Sequence, residues 1–199
     1  MKPYYKESFD YINSFSPISE SVFEKMYDAT TYKVVTKGTK LLNLGNISQK
    51  IYLITNGVVR SYVVFDDGKE VTKSLFDSIM FFASFNSLLN KKPSDTIYET
   101  ITDCHIFEID FGFFKRLCLE NVSVLQFYSK FLEYLILEKE KTFLDITTKN
   151  AKERYLKLRD RIPNIDKIMP QYEIASCLGI TPVQLSRIRS KLNAANNEL

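Results

Sequence analysis

Between residues 31 and 110 the chain alternates short runs of β-branched and aromatic residues with clusters of turn residues. Two of these runs, residues 58–65 and 70–76, flank Asp67-Gly68, a pair that tolerates the positive φ angles of a tight hairpin. We therefore expect the two runs to form neighbouring antiparallel strands. Many short strands at regular spacing predict a sandwich, roll or barrel over this region.

Helical patterns flank the β-rich region. Residues 7–14 and 19–29 have the spacing of two short helices, with Ser19 as the N-cap of the second. Beyond the β-rich region, residues 115–147 contain no Gly or Pro, and apolar residues recur every three or four positions. One small roll cannot cover the apolar stripe of so long a helix, so we expect the same helix of a second copy to pack on it. The alternative is a helix that packs only within its own chain. The predicted dimer interface comprises Val124, Leu125, Phe127, Tyr128, Phe131, Leu132 and Leu135.

The remaining residues predict three further helices. The first covers 151–161 with Asn150 as its N-cap, and a linker at 164–170 separates it from helices at 171–178 and 182–193.

The last two of these helices have the features of a helix-turn-helix. Ala175 is small enough for two helices to approach closely, and Gly179 can take the left-handed conformation that ends a helix. Thr181 can cap the next helix, with Pro182 at a position where no N–H is needed. The alternative is an ordinary helical hairpin.

A helix held in this way enters the major groove of DNA with its N-terminal residues against the bases. Arg187 matches guanine and Gln184 matches adenine, whereas Ser186 and Arg189 are placed for phosphate contacts. The predicted DNA-contacting residues are Thr181, Val183, Gln184, Ser186, Arg187, Arg189 and Lys191.

The charge of the chain is unevenly distributed. Its formal net charge is +3, but residues 149–199 alone carry ten Lys or Arg and five Asp or Glu. That segment therefore has a net charge of +5, and the remainder has a net charge of −2. A basic tail on a nearly neutral body indicates a polyanionic partner.

The cysteine and histidine content argues against metal and disulfide chemistry. Cys104, Cys118 and Cys177 form no CxxC pair, and His105 is the single histidine. We expect three buried thiols in a reducing compartment, with no metal and no cofactor. Without a nucleophile–base pair or a Gly-rich phosphate loop, we expect no enzyme activity. The chain has no apolar segment typical of a secretory signal or a membrane span, so we expect a cytoplasmic protein with no membrane partner.

The chain resembles the Crp–Fnr family, which includes the cyclic-AMP receptor protein, over nearly its whole length. The matching features are Lys37-Gly38, Gly45, residues 51–60, residues 67–70, the long helix, and residues 174–188. The last of these is the most specific, and the style of the sequence is similar to the divergent branch common in Bacteroidetes.

The resemblance implies an α+β fold in three parts. An N-terminal jelly roll (β-roll) of the cyclic-nucleotide-binding type, with its leading helices, would occupy residues 1–114. A dimerisation helix would follow at 115–148, and a helix-turn-helix domain at 149–199.

The family's nucleotide site does not carry over. Its phosphate cassette reads Gly-Glu-Leu and then Arg-Ser-Ala, whereas the corresponding stretches here are residues 82–84 and 94–96. The glutamate is absent, and Asp95 stands where the cyclic phosphate would lie, so we expect neither cyclic AMP nor cyclic GMP to bind. Either another small effector occupies this place or an aromatic core fills it. The candidate effector residues are Phe82, Ser84, Ser94, Asp95 and Thr96.

Other properties of the family also fail to match. Residues 1–103 contain no cysteine for an iron–sulfur cluster, and His105 lies in a strand pattern that indicates a structural role rather than a haem ligand. The cyclic-AMP receptor has Arg and Glu where this chain has Pro182 and Val183, so only Arg187 carries over. Residues 193–199 are too short and polar for the family's wing hairpin.

These observations predict a transcription regulator that binds a two-fold-symmetric promoter site as a homodimer. Its expected partners are double-stranded DNA and a second copy of the chain, with RNA polymerase and an unknown small-molecule effector as further candidates. The alternative is a degenerate ligand-binding or protein-interaction module without a DNA target.

Overall fold

The computed structural model describes residues 3–197, and side chains through residue 194. Two short helices precede an eight-stranded roll, and helices make up the described chain beyond it. The elements are α1 (Tyr5–Asn13), α2 (Glu20–Asp28), β1 (Thr31–Val35), β2 (Lys40–Leu42), β3 (Lys50–Asn56), β4 (Val59–Val64), β5 (Glu70–Phe76), β6 (Met80–Phe82), α3 (Phe85–Asn90), β7 (Ile97–Thr100), β8 (Cys104–Asp110), α4 (Phe111–Glu120), α5 (Val122–Thr148), α6 (Ala151–Arg161), α7 (Ile165–Ile168), α8 (Gln171–Cys177) and α9 (Pro182–Asn197).

The strands form two four-stranded antiparallel sheets. Sheet A has the order β1-β8-β3-β6 and sheet B the order β2-β7-β4-β5. The predicted hairpin at Asp67-Gly68 is confirmed: β4 pairs with β5, and the Phe65 N–H donates to the Lys69 carbonyl at 3.0 Å. The α+β jelly-roll architecture is therefore as the sequence predicts.

Alternation along β3 separates two apolar regions. Ile51 and Leu53 face outward, where α1, α2, α4 and α5 cover sheet A. Tyr52 and Ile54 face the other way, into the space between the two sheets. Each strand of a sandwich must serve two such faces, which is why β3 is almost continuously apolar.

Aromatic rings fill the space between the sheets. Phe82 stacks on Tyr52 at 5.0 Å and on Phe76 at 5.1 Å between ring centroids, and Tyr98 continues the stack at 5.9 Å from Phe82. Such stacking adds to the burial of the rings. The interior of the roll is therefore a packed core.

Asn56-Gly57 does not form a hairpin, although its composition is typical of one. β3 belongs to sheet A and β4 to sheet B, so the chain crosses between sheets at this point. Gly57 has φ +94, and a Cβ there would lie 2.4 Å from the Asp103 carbonyl oxygen. The close approach of the backbone at residue 103 therefore requires glycine.

The helix predicted from residue 115 to 147 is two helices. Asn121 has extended backbone angles (φ −136, ψ 110) and separates α4 from α5. α5 has 27 residues, about 40 Å at 1.5 Å per residue. Because neither Gly nor Pro marks the break, the apolar periodicity alone did not reveal it.

The C-terminal helices pack on the outer face of sheet B. Val58, Leu75 and Ile101 of the roll belong to the same buried apolar cluster as Tyr155 and Leu158 of α6. Asn150 caps α6 as predicted, through a capping box with Glu153. The predicted linker at 164–170 contains the short helix α7. The described chain is therefore layered: helices, sheet A, aromatic interior, sheet B, and the C-terminal helices.

Candidate nucleic-acid interface

α8 and α9 form the predicted two-helix unit. The helices cover residues 171–177 and 182–197, against 171–178 and 182–193 expected. Gly179 has φ +66, the left-handed conformation expected at the end of the first helix. Thr181 and Gln184 exchange two hydrogen bonds, at 2.9 and 3.2 Å, in a capping box at the start of α9.

A small apolar core fixes the angle between these helices. Ile174, Ala175 and Leu185 are fully buried between them. Arg154 of α6 donates to the carbonyl of Leu178 at 3.0 Å and so stabilises the turn between α8 and α9. The turn is thus supported by the rest of the C-terminal region, and α9 is presented rigidly.

One face of α9 is free. Val183, Arg187 and Lys191 recur every four residues, with Ser186 and Ser190 beside them, and all five side chains are exposed. Among the described residues, Arg187 and Lys191 have no ion-pair partner. This stripe combines two unpaired cations with short polar side chains. Ser190 is an addition to the predicted set, and its place is evident only once the exposed face is known.

Arg189 was predicted to contact phosphate, but its side chain is engaged within the chain. Its guanidinium donates to the hydroxyl of Tyr155 at 3.1 Å and to Gln171 at 3.3 Å, and it pairs with Asp166. Burial, followed by the hydrogen bond to Asp166, raises the pKa of Tyr155, so its hydroxyl stays protonated. Arg189 therefore attaches α9 to α6, α7 and α8, and faces away from the free stripe.

Gln184 is also engaged, although it was predicted to bind adenine. Its side-chain oxygen accepts the backbone N–H of Thr181. A bidentate contact with adenine needs both the oxygen and the amide N–H₂. Gln184 would have to give up its capping bond to make that contact.

A buried charge cluster connects the roll to α8. The guanidinium of Arg60 on β4 lies 2.8 Å from Glu70, 3.8 Å from Glu99 and 3.0 Å from Glu173 of α8. The hydroxyl of Tyr62 donates to Glu99 at 2.8 Å, and burial, then that hydrogen bond, raises the pKa of Tyr62. Arg60 is 4% exposed, so this cation is compensated inside the protein rather than by water.

A hydrogen bond runs beside the charge cluster. The backbone N–H of Thr72 on β5 donates to the hydroxyl of Ser176 at 2.9 Å. The helix-turn-helix is therefore docked on the β4–β5 hairpin by both charge and hydrogen bonding.

Known proteins share this architecture. Residues 32–121 match the model of the cyclic nucleotide-binding domain. The global nitrogen regulator of Synechococcus elongatus is 24% identical in an alignment of length 169, which covers 78% of this chain and 76% of that protein. In this chain, the matched domain is followed by a long helix and a helix-turn-helix, in the order that the sequence resemblance predicts. Residues 32–121 thus match the cyclic nucleotide-binding domain, and over the longer chain the likeness to a Crp–Fnr regulator is one of fold.

Two solved structures of regulators have the same fold. A transcriptional regulator from Eubacterium rectale assigned to the Crp–Fnr family superposes with a TM-score of 0.68 at 16% identity, over 92% of this chain and 88% of that one. The c-di-GMP-responsive global regulator CLP of Xanthomonas campestris superposes with a TM-score of 0.66 at 16% identity, over 89% and 93%. The curated and structural relatives named here are regulators, whereas placement in a Bacteroidetes branch stays a prediction.

Four of the five predicted effector residues, Phe82, Ser84, Ser94 and Thr96, are buried inside the roll. Ser84 and Ser94 hydrogen-bond to each other at 3.0 Å, Ser94 donates to the carbonyl of Thr96, and Thr96 donates to Asp95. Phe82 stands in the aromatic stack between the sheets. Aromatic rings therefore fill the space between the sheets, and a small effector at these residues stays a prediction. Asp95 itself is exposed.

Part of the predicted dimer interface is covered within the chain. Val124, Phe127, Tyr128 and Phe131 are buried within their own chain, against the helical side of sheet A. These four are already covered, as the intrachain alternative anticipated. Leu132 and Leu135 are half-buried there, and Leu125 is exposed.

A different stripe of α5 is free. Ile136, Phe143 and Ile146 are 67%, 66% and 59% exposed. With Leu125 they fall on a 4-3 repeat, the spacing of a coiled-coil seam. The seam positions are Leu125, Ser129, Leu132, Ile136, Lys139, Phe143 and Ile146.

The other titratable groups singled out in the sequence have structural surroundings. Cys104 and Cys118 are buried as predicted, and Cys177 is half-buried. His105 lies on β8, with its Nδ1 hydrogen-bonded to Tyr32 at 2.5 Å. Within residues 3–197, no three His, Cys, Asp or Glu side chains come together as metal ligands would. Over the same residues, none of the helices has the length and apolar character that a membrane crossing requires.

Proposed function

We propose that this chain is a dimeric transcription regulator that binds a two-fold-symmetric DNA site through α9. The observation that carries the proposal is the division of α9 into two faces. One face is fixed by Leu185, Ile188 and Arg189, and the other presents Val183, Arg187 and Lys191 without partners among the described residues. A helix of this kind, at the second position of a helix-turn-helix, is suited to the major groove.

The proposed contacts divide into two kinds. Arg187 has a free guanidinium and matches the O6 and N7 acceptors of guanine. Ser186, Ser190 and Lys191 match phosphate oxygens, which set the register without selecting sequence. Val183 is 59% exposed near the start of α9 and suits a thymine methyl group.

The exposed seam of α5 supports a homodimer. Its exposed apolar residues, Leu125, Ile136, Phe143 and Ile146, lie along about 32 Å of helix at 1.5 Å per residue. A second copy related by a two-fold axis would cover them and place two copies of α9 side by side. Half-sites would then lie about 34–36 Å apart, one turn of DNA.

The packed interior supports binding without cyclic AMP or GMP. The stack of Tyr52, Phe82 and Tyr98 occupies the space between the sheets. RNA polymerase as a further partner stays a prediction from the family resemblance.

The first experiment is a selection of genomic DNA. The purified full chain is incubated with its fragmented genome, with no nucleotide added, and the retained DNA is sequenced. We expect a two-fold-symmetric motif. If retention is independent of sequence and of salt, the terminal helices serve another partner, because a phosphate-binding protein loses affinity steeply with salt.

A substitution at Arg187 tests the assignment of the site. Arg187→Lys keeps the charge but removes the planar fork, so affinity for the selected site should fall by about 1–3 kcal/mol while the salt dependence is retained. Lys130→Ala, on the surface of α5, serves as the control. Binding of Arg187→Lys with the wild-type affinity, measured by fluorescence anisotropy, would show that α9 does not read the DNA through this residue.

A further inference from the structure

A cavity of about 60 Å³ lies outside the roll, on the helical side of sheet A. It is beneath α1 and α2 and beside α5, on the opposite side of sheet A from the aromatic stack. Its wall is almost entirely carbon, and includes Ile12, Met26, Leu53, Phe107, Phe127 and Phe131.

Ser8 of α1 places a hydroxyl group in the wall of this apolar cavity. Its side chain is 2% exposed, and among the described residues its hydroxyl has no hydrogen-bond partner. Two other polar side chains in the wall are engaged elsewhere: the hydroxyl of Tyr27 donates to the Pro3 carbonyl, and that of Thr30 to the Tyr27 carbonyl. A buried hydroxyl without a partner is unfavourable, and a ligand oxygen would satisfy it.

Water is a poor occupant of this space. A cavity of 60 Å³ is large enough for water, which needs at least about 10–15 Å³ in this measure, but a buried water also needs two to four hydrogen-bond partners. An apolar cavity of about 150 Å³ stays dry and accepts benzene. The smaller space here suits a molecule of roughly three non-hydrogen atoms.

We propose that this cavity binds a small neutral organic molecule with two or three carbons and one oxygen, an alcohol or an aldehyde. The alkyl part lies against Phe127 and Phe131, and the oxygen hydrogen-bonds to the hydroxyl of Ser8. Binding at this site does not depend on DNA.

We also expect occupancy of the cavity to affect dimerisation. Phe127 and Phe131 belong to α5, whose exposed seam carries the proposed dimer contact. A ligand that pushes on the buried face of α5 therefore changes the dimer dissociation constant. This consequence rests on the proposed function, whereas the binding site itself does not.

The chain supplies its own reporter of binding. Met26 lines the cavity, while Met80 and Met169 lie elsewhere. The full chain is labelled with ¹³C at the methionine methyl groups and titrated by NMR with ethanol, and separately with propane, which has the same number of non-hydrogen atoms. We expect a saturable shift of the Met26 methyl with both probes, and unchanged Met80 and Met169 signals.

Two variants test the polar contact and the space. Ser8→Ala should weaken ethanol binding about threefold to tenfold and leave propane binding at or above the wild-type affinity, as expected for one lost hydrogen bond. Ile12→Phe should fill the cavity and abolish both responses, with an unchanged Met169 signal as the check on folding. If Ile12→Phe fails that check, Ser8→Leu fills the same space from α1.

The proposal is overturned if ethanol gives no saturable shift at Met26, or if Ser8→Ala binds ethanol as wild type does. The coupling to the dimer is measured separately, by sedimentation with and without ethanol. An ethanol-dependent dissociation constant that becomes ethanol-independent in Ser8→Ala supports the coupling, and an unchanged constant in wild type overturns it without affecting the site.

Discussion

Two arginines two positions apart on α9 have opposite roles. Arg187 is exposed and unpaired among the described residues, whereas Arg189 is held by Tyr155, Gln171 and Asp166. Sequence reasoning treated both as DNA contacts, because a basic residue on a recognition helix has the same composition in either role. Only the packing of α6 and α7 under α9 distinguishes them.

This difference predicts opposite phenotypes. Arg189→Met should lower the free energy of unfolding by about 2–3 kcal/mol, because it removes charge-assisted hydrogen bonds in a half-buried place. Arg187→Met should change it by less than about 0.5 kcal/mol. Urea denaturation followed by circular dichroism measures both, and equal stabilities for the two variants would contradict the anchoring role of Arg189.

Asp145 connects the end of α5 to α6 and should make stability depend on pH. Hydrogen bonds from Lys149 and Lys157 lower the pKa of Asp145 to about 2. A carboxyl group with a folded pKa below its unfolded value of about 3.9 contributes stability that is complete above that value. The contribution is lost as the pH falls through the folded pKa.

We therefore expect the melting temperature to fall between about pH 4 and pH 2, and Asp145→Asn to remove part of that fall. Melting curves from pH 2 to pH 6 provide the measurement. Asp160→Asn, on the exposed side of α6, is the control. A pH profile of Asp145→Asn that coincides with wild type would rule out this contribution.

At the scale of elements, the sequence predicted the hairpin, the helix-turn-helix and the capping of α6, because each depends on local chemistry. Gly68, Gly179 and Asn150 act on their immediate neighbours, so their signals can be read without the rest of the chain. Tertiary partners decided the rest. Asn56-Gly57 crosses between sheets because the backbone at residue 103 lies close to it, and no local pattern contains that information.

For α5, too, tertiary partners decided what the sequence could not. Its stripe is wide enough to serve two partners, and the sequence does not say which part each one takes. Sheet A takes Val124, Phe127 and Phe131, which leaves the stripe through Ile136 and Phe143. Four of the seven predicted dimer residues are therefore covered within the chain, whereas Leu125 and Leu132 belong to the seam.

Substitution in the seam tests the proposed dimer. Ile136→Lys or Phe143→Lys should raise the dimer dissociation constant by at least about a hundredfold, because the two-fold axis removes two buried side chains worth about 1.5–3 kcal/mol each. Leu137→Lys, about 100° further around α5, should have little effect. Analytical ultracentrifugation measures this, and dissociation by Leu137→Lys alone would assign the contact to another face.

At the scale of the whole molecule, the roll and the DNA-binding helices meet across a buried ion cluster. Arg60 faces three carboxylates, of which Glu173 belongs to α8. Removing the only cation from such a cluster leaves buried acids without compensation, which costs about 3–5 kcal/mol.

Arg60→Met should therefore destabilise the interface more than the roll. We expect urea unfolding to change from one transition to two, with the C-terminal helices lost first. In the double variant Arg60→Met, Glu173→Leu, part of the loss should be recovered, since a buried pair can be replaced by apolar residues at little cost. A single, unshifted transition for Arg60→Met would show that the cluster does not hold the two parts together.

The apolar contact beside that cluster limits how freely the protein can be recombined. Leu75 of sheet B, with Val58 and Ile101 at the ends of neighbouring strands, completes the core of the C-terminal helices. Residues 149–199 grafted onto an unrelated roll would lose these apolar contacts, even with every DNA-contacting side chain intact. Exchanging the C-terminal helices to change the set of regulated genes therefore also requires the matching residues at these three roll positions. In related proteins, changes in the core of the C-terminal helices should be accompanied by compensating changes at those positions.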